Sequence, residues 1–527
     1  MSSSSSIEHA QSHDDWRSVA VIDIGATSIR MAIAQIDLQN NIRILDRLQQ
    51  AVNLGKDSFT QGTIQRSTIE QCVAVLNDYV RILDEYGVNY PDQVRVVATS
   101  AVREADNRMA FLDRVYIATG LDVEAIEEAE VSRVTYLGIR ARLEEASQVA
   151  PDRIVCEVGG GSTAVLLLKS NTVAHSQSYR LGSLRLRKGL EETGAPSDKL
   201  RRIMETQIGR IVDQVREHVP EDVPLDLVAL GADVRFAASQ LIKDWQPTQL
   251  SILPLDALVE LTEKIMETPA TELVQQYQLS QPDAETLGPA LLTYSRLASA
   301  LNVDHLLVTN INLRDGLLQE MASGEVWLRE FQHQVIGPLL ERGRQFDFDE
   351  PHALHVGMLA RSLFHQMADQ HGLDMRYETI LYIAAVLHEI GVFISSTSYH
   401  KHSLYLIRNS ELFGIGPTNL ELIAQVARYH RRASPKQSHK RYMALDRDQR
   451  VVVSKLASIL RIAVALDASR SQNIHSIQVA RSNGKLVVST DDVNDLTLEQ
   501  LALQQSGTLF EETYGVPVIL SVSMETG

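Results

Sequence analysis

The sequence predicts an α/β fold class with two similar α/β domains, a helical domain and a small closing α/β unit. A length of 527 residues exceeds one ordinary core and suggests three to four domains. A pattern of strand, acid, glycine turn and strand occurs twice, with an acid, a glycine and a serine at relative positions 0, +2 and +5 in both 23–28 and 157–162. Such a repeat, followed each time by alternating helices and strands, indicates two related domains.

The individual elements follow from hydrophobic periodicity. In the first repeat the predicted strands are 19–24, 29–36 and 94–98, and the predicted helix is 65–86. The second repeat, 152–168, is again strand, glycine-rich turn and strand. From about residue 326 apolar residues recur at helical spacing, and the clearest predicted helices are 380–390 and 453–467. The end of the chain returns to alternation, with predicted strands at 476–479, 486–489 and 517–522.

These patterns divide the chain into five segments. The serine-rich, polar start lacks the apolar stretch of a signal peptide, and we expect it to be a disordered tail. The predicted segments are 1–16 for the tail, 17–138 and 139–325 for the two α/β domains, 326–472 for the helical domain and 473–527 for the closing unit.

Composition narrows the class of protein. A net charge of −17 argues against general binding to nucleic acid or to an anionic membrane. No apolar run approaches the ~20 residues that cross a bilayer, so no membrane span is predicted. The two cysteines, Cys72 and Cys156, stand in no metal-binding pattern and suit a reducing compartment. We therefore expect a cytoplasmic protein.

The two glycine turns are suited to binding phosphate. Glycine lets the backbone take positive φ and approach a ligand closely, while serine and threonine hydroxyls donate to phosphate oxygens. An acid at the start of each turn, Asp23 or Glu157, can hold a divalent cation that offsets phosphate charge. One such turn is also an ordinary tight hairpin, but two matched turns in one chain favour the phosphate interpretation.

Several motifs, in the same order along the chain, resemble those of the exopolyphosphatase / guanosine pentaphosphate phosphohydrolase (Ppx/GppA) family. They are VIDIGATSIR at 21–30, ATSAVREA at 98–105, EVGGGST at 157–163, LGSLR at 181–185, LRDGL at 313–317, LHEIG at 387–391, YHKH at 399–402 and YHRR at 429–432. The resemblance covers most of 19–470. It implies two actin-like (ribonuclease H-like) domains with an active cleft between them, then the HD-type helical domain of the long family members. It also implies Mg²⁺ or Mn²⁺ as cofactor and a homodimer.

Matching the family motifs residue by residue implies the roles of the site. The implied metal ligands are Asp23 and Glu157, and the implied catalytic residues are Arg103 and Glu130. The implied phosphate-binding residues are Gly25, Thr27, Ser28, Arg30, Thr99, Ser100, Gly159, Gly160, Gly161, Ser162 and Thr163. Guanidinium groups suit this task because they match phosphate in a bidentate manner.

The sequence departs from the family pattern at positions that concern catalysis. An ungapped match of 121–138 places Val131 where the family carries its water-activating glutamate, with Glu130 next to it. The acid that usually follows the second Gly-Ser-Thr is Ala164, and the glycine pair before the late Leu-Arg motif is 311–312, Ile-Asn. The glycine-threonine turn of the third loop is 231–233, Gly-Ala-Asp. A general base contributes roughly 10²–10⁴-fold to rate, so its loss would leave a slow enzyme or a binding protein.

The helical domain carries two further groups of candidate residues. An HD-type metal cluster would be His355, His388, Glu389 and Asp467, and His400, His402 and His430 could gather near it. The alternative is a degenerate, structural cluster. The densest basic segment contains His430, Arg431, Arg432 and Lys436, with His439, Lys440 and Arg441 following. It is either a solvated loop or a groove that guides a polyanion.

Three functions are therefore compared. The first is a Mg²⁺-dependent exopolyphosphatase that releases terminal phosphate from inorganic polyphosphate, with guanosine pentaphosphate, a nucleotide of the stringent response, as a further substrate. The second is a catalytically degenerate regulator that binds polyphosphate or an alarmone without turnover. The third is an actin-like kinase or ATPase, which is disfavoured by the segment 99–103 and by the absence of a clear sugar-site pattern.

Overall fold

The computed structural model describes residues 16–145, 150, 152–191, 197–219, 224–323, 329–410, 412–431, 433–490 and 495–522. The chain forms two compact units, residues 1–326 and 327–527. Of the predicted tail, 1–16, only Trp16 lies within the described residues, as the first residue of a strand. Among the described residues, no helix is both long enough and apolar enough to cross a membrane.

The first sheet of the first unit has five strands in the order β3-β2-β1-β4-β5. They are β1 (Trp16–Ile24), β2 (Ser28–Asp37), β3 (Ile42–Ala51), β4 (Val94–Ala98) and β5 (Val123–Ala125). The first three are antiparallel neighbours, whereas β4 and β5 run parallel to β1. β1 is an almost continuous apolar run because both its faces are covered. Ala20, Ile22 and Ile24 pack into one core, and Val19 and Val21 pack into another on the opposite face.

Helices pack on this sheet, and the last of them comes from the end of the unit. They are α1 (Leu54–Gln61), α2 (Arg66–Glu85), α3 (Ser100–Arg103), α4 (Arg108–Thr119), α5 (Glu128–Glu145) and α12 (Leu313–Ser323). Leu317 and Leu318 of α12 pack in the same core as Val19 and Val21. The predicted boundary between 138 and 139 thus falls inside α5, and α12 packs on the first sheet although it lies in the predicted second domain. Tertiary contacts determine which helix packs on which sheet, and a sequence repeat gives no information about those contacts.

The second sheet repeats the topology of the first, in the order β10-β11-β9-β6-β7-β8. Its strands are β6 (Asp152–Val158), β7 (Thr163–Lys169), β8 (Thr172–Tyr179), β9 (Leu225–Leu230), β10 (Ser251–Pro254) and β11 (His305–Val308). Here β6, β7 and β8 are antiparallel neighbours, β9 and β11 run parallel to β6, and β10 adds an antiparallel edge. Its helices are α6 (Ser183–Glu191), α7 (Ser197–Arg216), α8 (Ala232–Leu241), α9 (Leu255–Glu267), α10 (Ala270–Tyr277) and α11 (Gln281–Ala300). Two sheets of this order confirm the predicted pair of actin-like folds.

The second unit is helical up to a small sheet near its end. Its helices are α13 (Arg329–Gln345), α14 (Glu350–Gln366), α15 (Ala368–His371), α16 (Tyr377–Leu387), α17 (Tyr399–Arg408), α18 (Pro417–Arg428), α19 (Lys440–Met443), α20 (Arg447–Ala465), α21 (Thr497–Ser506) and α22 (Thr508–Tyr514), with a short 3-10 helix at Ile390–Phe393. The strands β12 (Gln478–Ser482), β13 (Lys485–Thr490) and β14 (Val518–Val522) form a sheet in that order. The predicted helices 380–390 and 453–467 correspond to α16 and α20, and a capping box of Asp446 and Gln449 fixes the start of α20.

Candidate functional site

The two glycine turns have the same hydrogen-bonded geometry. The backbone N–H of Gly25 donates to the carbonyl of Ser28 at 3.0 Å, and that of Gly159 donates to the carbonyl of Ser162 at 2.9 Å. Each turn joins two antiparallel strands of equivalent position in its sheet, β1 to β2 and β6 to β7. The equal spacing seen in the sequence is therefore a repeated structure, and each copy ends at the same edge of its sheet.

Both turns line one cavity of about 160 Å³ in the first unit. Twelve of the predicted site residues line it: Asp23, Gly25, Thr27, Arg30, Thr99, Ser100, Arg103, Glu157, Gly159, Gly160, Gly161 and Ser162. Thr99 directly follows β4 and precedes α3, and α3 supplies Ser100 and Arg103. The structure thus brings the three predicted phosphate segments together around a single space.

The domains built on the first and second sheets are here called the first and second lobes. The second glycine turn packs closely against the first lobe, and this close contact requires glycine. A Cβ added at Gly161 would overlap the side chains of Ser100 and Phe59, and one added at Gly160 would lie 3.1 Å from the Cβ of Ala26. Arg185 fixes the turn further, because its Nε donates to the carbonyl of Gly161 at 2.8 Å. A ligand in the cavity would therefore meet backbone from both lobes at short range.

Asp23 lies at the end of β1 and faces two cations. Its Oδ2 is 3.3 Å from Nη1 of Arg314 and 3.8 Å from Nη1 of Arg30. Arg314 is 8% exposed, and burial lowers its pKa to about 10. The predicted motif at 313–317 thus supplies Arg314, which pairs with Asp23, the candidate metal ligand.

Glu157 and Asp233 carry the perturbed carboxyl groups of the cavity. Burial raises the pKa of Glu157, whose Oε2 accepts a hydrogen bond from the Thr135 hydroxyl at 3.3 Å. Burial, with a smaller contribution from Asp283, raises the pKa of Asp233 to about 7. Both carboxyl groups would ionise more readily beside an added cation.

Arg103 enters the cavity already paired with a carboxylate. Its Nη2 donates to Oε1 of Glu128 at 2.8 Å, and its Nη1 donates to the carbonyl of Ile126 at 2.8 Å. Glu128 itself lines the cavity. Sequence reasoning missed Glu128, although it stands two residues before the predicted catalytic residue on the same helix.

The side chain of Glu130 pairs with two arginines outside the cavity lining. Its Oε1 pairs with Arg95 at 3.2 Å and with Arg133 at 3.6 Å, and burial raises its pKa. It is not among the described residues that line the cavity, whereas Val131 is. The structure therefore does not bring the predicted base to the phosphate turns. The helix explains this, since consecutive residues such as Glu130 and Val131 are separated by ~100° around its axis.

Two predicted phosphate donors also lie outside the cavity lining. Ser28 is 1% exposed, and its Oγ has no hydrogen-bond partner among the described residues. Thr163 is equally buried, and its hydroxyl donates to the carbonyl of Leu181. Both are the first residues of strands that follow the turns, so their side chains point into the lobes. The cavity contains instead Ser183, which belongs to the motif at 181–185, and Ser178, Asp283 and Thr286, for which the sequence offered no motif.

In the second unit the structure groups a different histidine from the one predicted. His352, His388 and Glu389 have ligand atoms that all lie within 4.8 Å of one another. Asp467 contacts this group through Nδ1 of His352, at 2.7 Å from its Oδ2. His355 is buried nearby but is not part of the group. His352, three residues earlier on α14, takes the place that the sequence gave to His355.

The predicted polyanion groove divides between surface and core. Arg431 and Lys436 are exposed, and the guanidinium of Arg431 lies 4.6 Å from the ring centre of Tyr399. His430 is 3% exposed and stacks edge-to-face on His388, so it cannot line a surface groove. Arg432 lies outside the described residues. The basic groove stays a prediction, without His430.

Comparison of the sequence with known proteins identifies its family. The profile of the Ppx/GppA phosphatase family matches residues 32–325, and that of Ppx/GppA phosphatase domain III matches residues 340–507. A guanosine-5'-triphosphate,3'-diphosphate pyrophosphatase of Photobacterium profundum is 24% identical over 515 residues, which are 96% of this chain and 98% of the relative.

A solved structure with a TM-score above 0.5 shows the same fold, and a second one is similar in sequence. An exopolyphosphatase from Cytophaga hutchinsonii is 21% identical with a TM-score of 0.53, over 58% of this chain and 98% of that one. A Ppx/GppA family member from Aquifex aeolicus is 25% identical with a TM-score of 0.48, over 59% of this chain and 98% of that one. The motifs, the repeated sheets and the two profile matches agree, and the chain belongs to the Ppx/GppA phosphatase family.

Proposed function

We propose that the cavity binds inorganic polyphosphate or guanosine pentaphosphate and hydrolyses the terminal phosphoanhydride bond, which releases phosphate. The observation that supports this most is the pair of matched acid–glycine–serine hairpins that line one cavity together with Arg30 and Arg103. Phosphoryl transfer depends mainly on positioning and on neutralising charge, which such a site can supply.

A divalent cation, Mg²⁺ or Mn²⁺, fits the donors at the head of the two hairpins. Asp23 and Glu157 both line the cavity, and both are oxygen donors of the kind that hard cations prefer. Glu157 accepts a hydrogen bond from Thr135 at 3.3 Å, and burial raises the pKa of its carboxyl group, so a nearby cation would favour its ionised form. These two carboxylates would hold the cation, which when bound offsets the charge of the phosphate groups.

The remaining residues would bind and orient the substrate. The hydroxyls of Thr27, Thr99 and Ser162 would donate to phosphate oxygens, and Arg30 and Arg103 would clamp the phosphoryl group as bidentate donors. In the reaction, a water oxygen forms a bond to the terminal phosphorus while the bridging oxygen leaves with its electron pair. The water proton passes to a protein base.

Asp233 is the group we propose as that base. With valine at 131, the cavity keeps two carboxylates besides the cation ligands and Asp283, whose Oδ2 accepts a hydrogen bond from the N-cap Ser280 hydroxyl at 2.7 Å: Glu128 and Asp233. Glu128 is already bonded to Arg103. Burial raises the pKa of Asp233 to about 7, close to the value at which a base works best at neutral pH.

A second function, binding without turnover, is favoured by two side chains in the same cavity. Val131 and Ala164 line it where a carboxylate would otherwise be expected, and neither can accept a proton. The clamp and the glycine turns would still hold a phosphate chain. In this alternative the protein is a polyphosphate or alarmone sensor. Cytoplasmic location and homodimer formation stay predictions of either function.

Phosphate release and binding, measured side by side, separate the two functions. Release from long-chain polyphosphate and from guanosine pentaphosphate is assayed with and without Mg²⁺, and binding is measured by calorimetry. If the protein is a hydrolase, we expect phosphate release that depends on Mg²⁺. Asp23→Asn should abolish this release, whereas Asp92→Asn, at an exposed site, should leave it unchanged. Tight binding without release establishes the sensor, and absence of both overturns the cavity as a phosphate site.

A further inference from the structure

The motif at 181–185 packs against the second glycine turn, although the sequence assigned it no role. Of its residues, Ser183 lines the cavity and Arg185 does not. We infer that Arg185 is a positioning residue for phosphate binding, because it holds the second glycine turn in the orientation that a phosphate needs and joins that turn to the first lobe. The inference rests on the proposed function, since it concerns how tightly the cavity binds a phosphate chain.

The first support is that the carbonyls of the turn accept hydrogen bonds from the start of α6. The carbonyls of Gly159 and Gly160 accept from the first three backbone N–H groups of this helix, at 2.9, 3.1 and 3.2 Å. The carbonyl of Gly161 accepts from Nε of Arg185 at 2.8 Å. Gly182 permits this close approach, since a Cβ there would overlap the carbonyl of Gly160. Three consecutive carbonyls of the turn are therefore held by one segment.

The direction of these carbonyls fixes the direction of the N–H groups that a phosphate would bind. In a planar trans peptide, the carbonyl and the N–H that follows it point in opposite directions. Because the three carbonyls point towards residues of α6, the N–H groups of Gly160, Gly161 and Ser162 point away from that helix, and all three residues line the cavity. Successive N–H groups of this kind form an anion-binding concavity. The bonds from α6 therefore orient the donors of the turn.

The second support is that the same guanidinium reaches the first lobe. Nη2 of Arg185 donates to both carboxylate oxygens of Glu104, at 2.8 and 2.9 Å. Its guanidinium carbon lies 4.2 Å from the ring centre of Phe59 on α1. Glu104 directly follows Arg103, the predicted phosphate clamp, in the chain. One side chain thus connects the second turn to the segment of the first lobe that carries the clamp.

These contacts require the shape of arginine as well as its charge. Nε binds a carbonyl, Nη2 binds a carboxylate and the face of the group lies on a phenyl ring. A guanidinium presents its donors in one rigid plane and stacks on aromatic rings, whereas an ammonium is a compact point charge on a flexible chain. Replacing Arg185 with lysine therefore keeps the charge but loses the geometry, which separates positioning from simple attraction of the ligand.

The full chain with Arg185→Lys tests the inference, and Arg185→Ala is a second variant. The matched control is Arg201→Lys, because Arg201 also pairs with two glutamates of the second lobe, Glu205 and Glu263, and does not line the cavity. Affinity for polyphosphate of one defined chain length is measured by calorimetry at fixed Mg²⁺ and salt. We expect both Arg185 variants to bind about 10-fold more weakly, as for the loss of one hydrogen bond to a charged group. The control should bind as tightly as the native protein.

Hydrogen–deuterium exchange without ligand measures how firmly the turn is held. The backbone N–H groups of residues 183–185 donate to its carbonyls, so their exchange rates report on this contact. We expect faster exchange of the peptide 181–186 in both Arg185 variants than in the native protein, measured by mass spectrometry. Arg201→Lys should exchange at the native rate in this peptide.

Three results would overturn the inference. Affinity that Arg185→Lys keeps and Arg185→Ala loses would show attraction by charge alone. Native affinity in both variants would show that the turn binds phosphate without this arginine. Native exchange rates in both would show that backbone contacts alone hold the turn. If the native protein binds no polyphosphate, the proposed function fails, and the exchange rates still decide whether Arg185 positions the turn.

Discussion

Arg103 and Glu128 form a 2.8 Å ion pair at the wall of the phosphate cavity. The side chains are 10% and 29% exposed, so the pair is only partly hydrated. An arriving phosphate must share the guanidinium with a carboxylate and must also lie near its negative charge. The two residues therefore act in opposite directions on the affinity for a polyanion.

Arg103→Ala should weaken polyphosphate binding by about 2 kcal/mol, roughly 30-fold, because a partly desolvated, charge-assisted contact is lost. The measurement is a dissociation constant by calorimetry at fixed salt. The matched control is Arg66→Ala, because Arg66 is exposed at the start of α2. Similar losses in both variants would indicate diffuse attraction in place of a defined site.

Glu128→Gln should act the other way and strengthen polyphosphate binding about 3–10-fold, since it removes a like charge and frees Arg103. Glu145→Gln is the control, because Glu145 pairs with Arg142 at 2.8 Å at the exposed end of the same helix. Weaker binding in Glu128→Gln would show that the carboxylate positions Arg103 more than it repels the ligand.

Val131→Glu should raise phosphate release at least ~10-fold, because it adds a carboxylate to the cavity wall where water can be oriented and deprotonated. Glu130→Gln should leave release unchanged, since that side chain faces Arg95 and Arg133. Both rates are read as initial phosphate release at saturating polyphosphate. A native rate that Glu130→Gln abolishes would show that the base is Glu130 after all.

Asp233→Asn should stabilise the protein more at pH 8 than at pH 4. The pKa of Asp233 is raised from 3.8 to about 7, so the folded state holds this proton more tightly than the unfolded state. Its favourable contribution is complete below pH 4 and is lost as pH rises through 7, whereas asparagine has no proton to lose. We expect a gain of about 1 kcal/mol or more at pH 8, measured by melting temperature. Asp92→Asn, at an exposed position, should show no such trend.

The elements that sequence predicted best are those fixed by local pattern. Buried strands such as β1 are apolar along most of their length, and the glycine turns recur at one spacing, so the hairpin strands of both sheets and about half of the residues that line the cavity could be predicted. What failed was the orientation of single side chains on helices. Glu128 and Val131 are three residues apart and share the face of α5 that lines the cavity, whereas Glu130 lies on another face. A motif match gives the order of residues along the chain but not the direction in which each side chain faces around the helix axis.

The choice between His352 and His355 shows the same limit. Three residues on a helix are ~300° apart, so both histidines lie on nearly one face of α14 and both are buried. Only the contacts from other elements separate them: Asp467 fixes His352, and His388 lies beside it. Those contacts join residues more than thirty positions apart, which periodicity cannot reveal.

The repeated hairpin makes the two ends of the cavity chemically different. Asp23 and Arg30 are cross-strand partners in the first copy, and Glu157 and Ala164 are the equivalent partners in the second. One hairpin therefore carries a cation opposite its acid, whereas the other carries only a methyl group there. The backbone repeats but the charge does not, so an asymmetric molecule can bind between the two hairpins in a single direction.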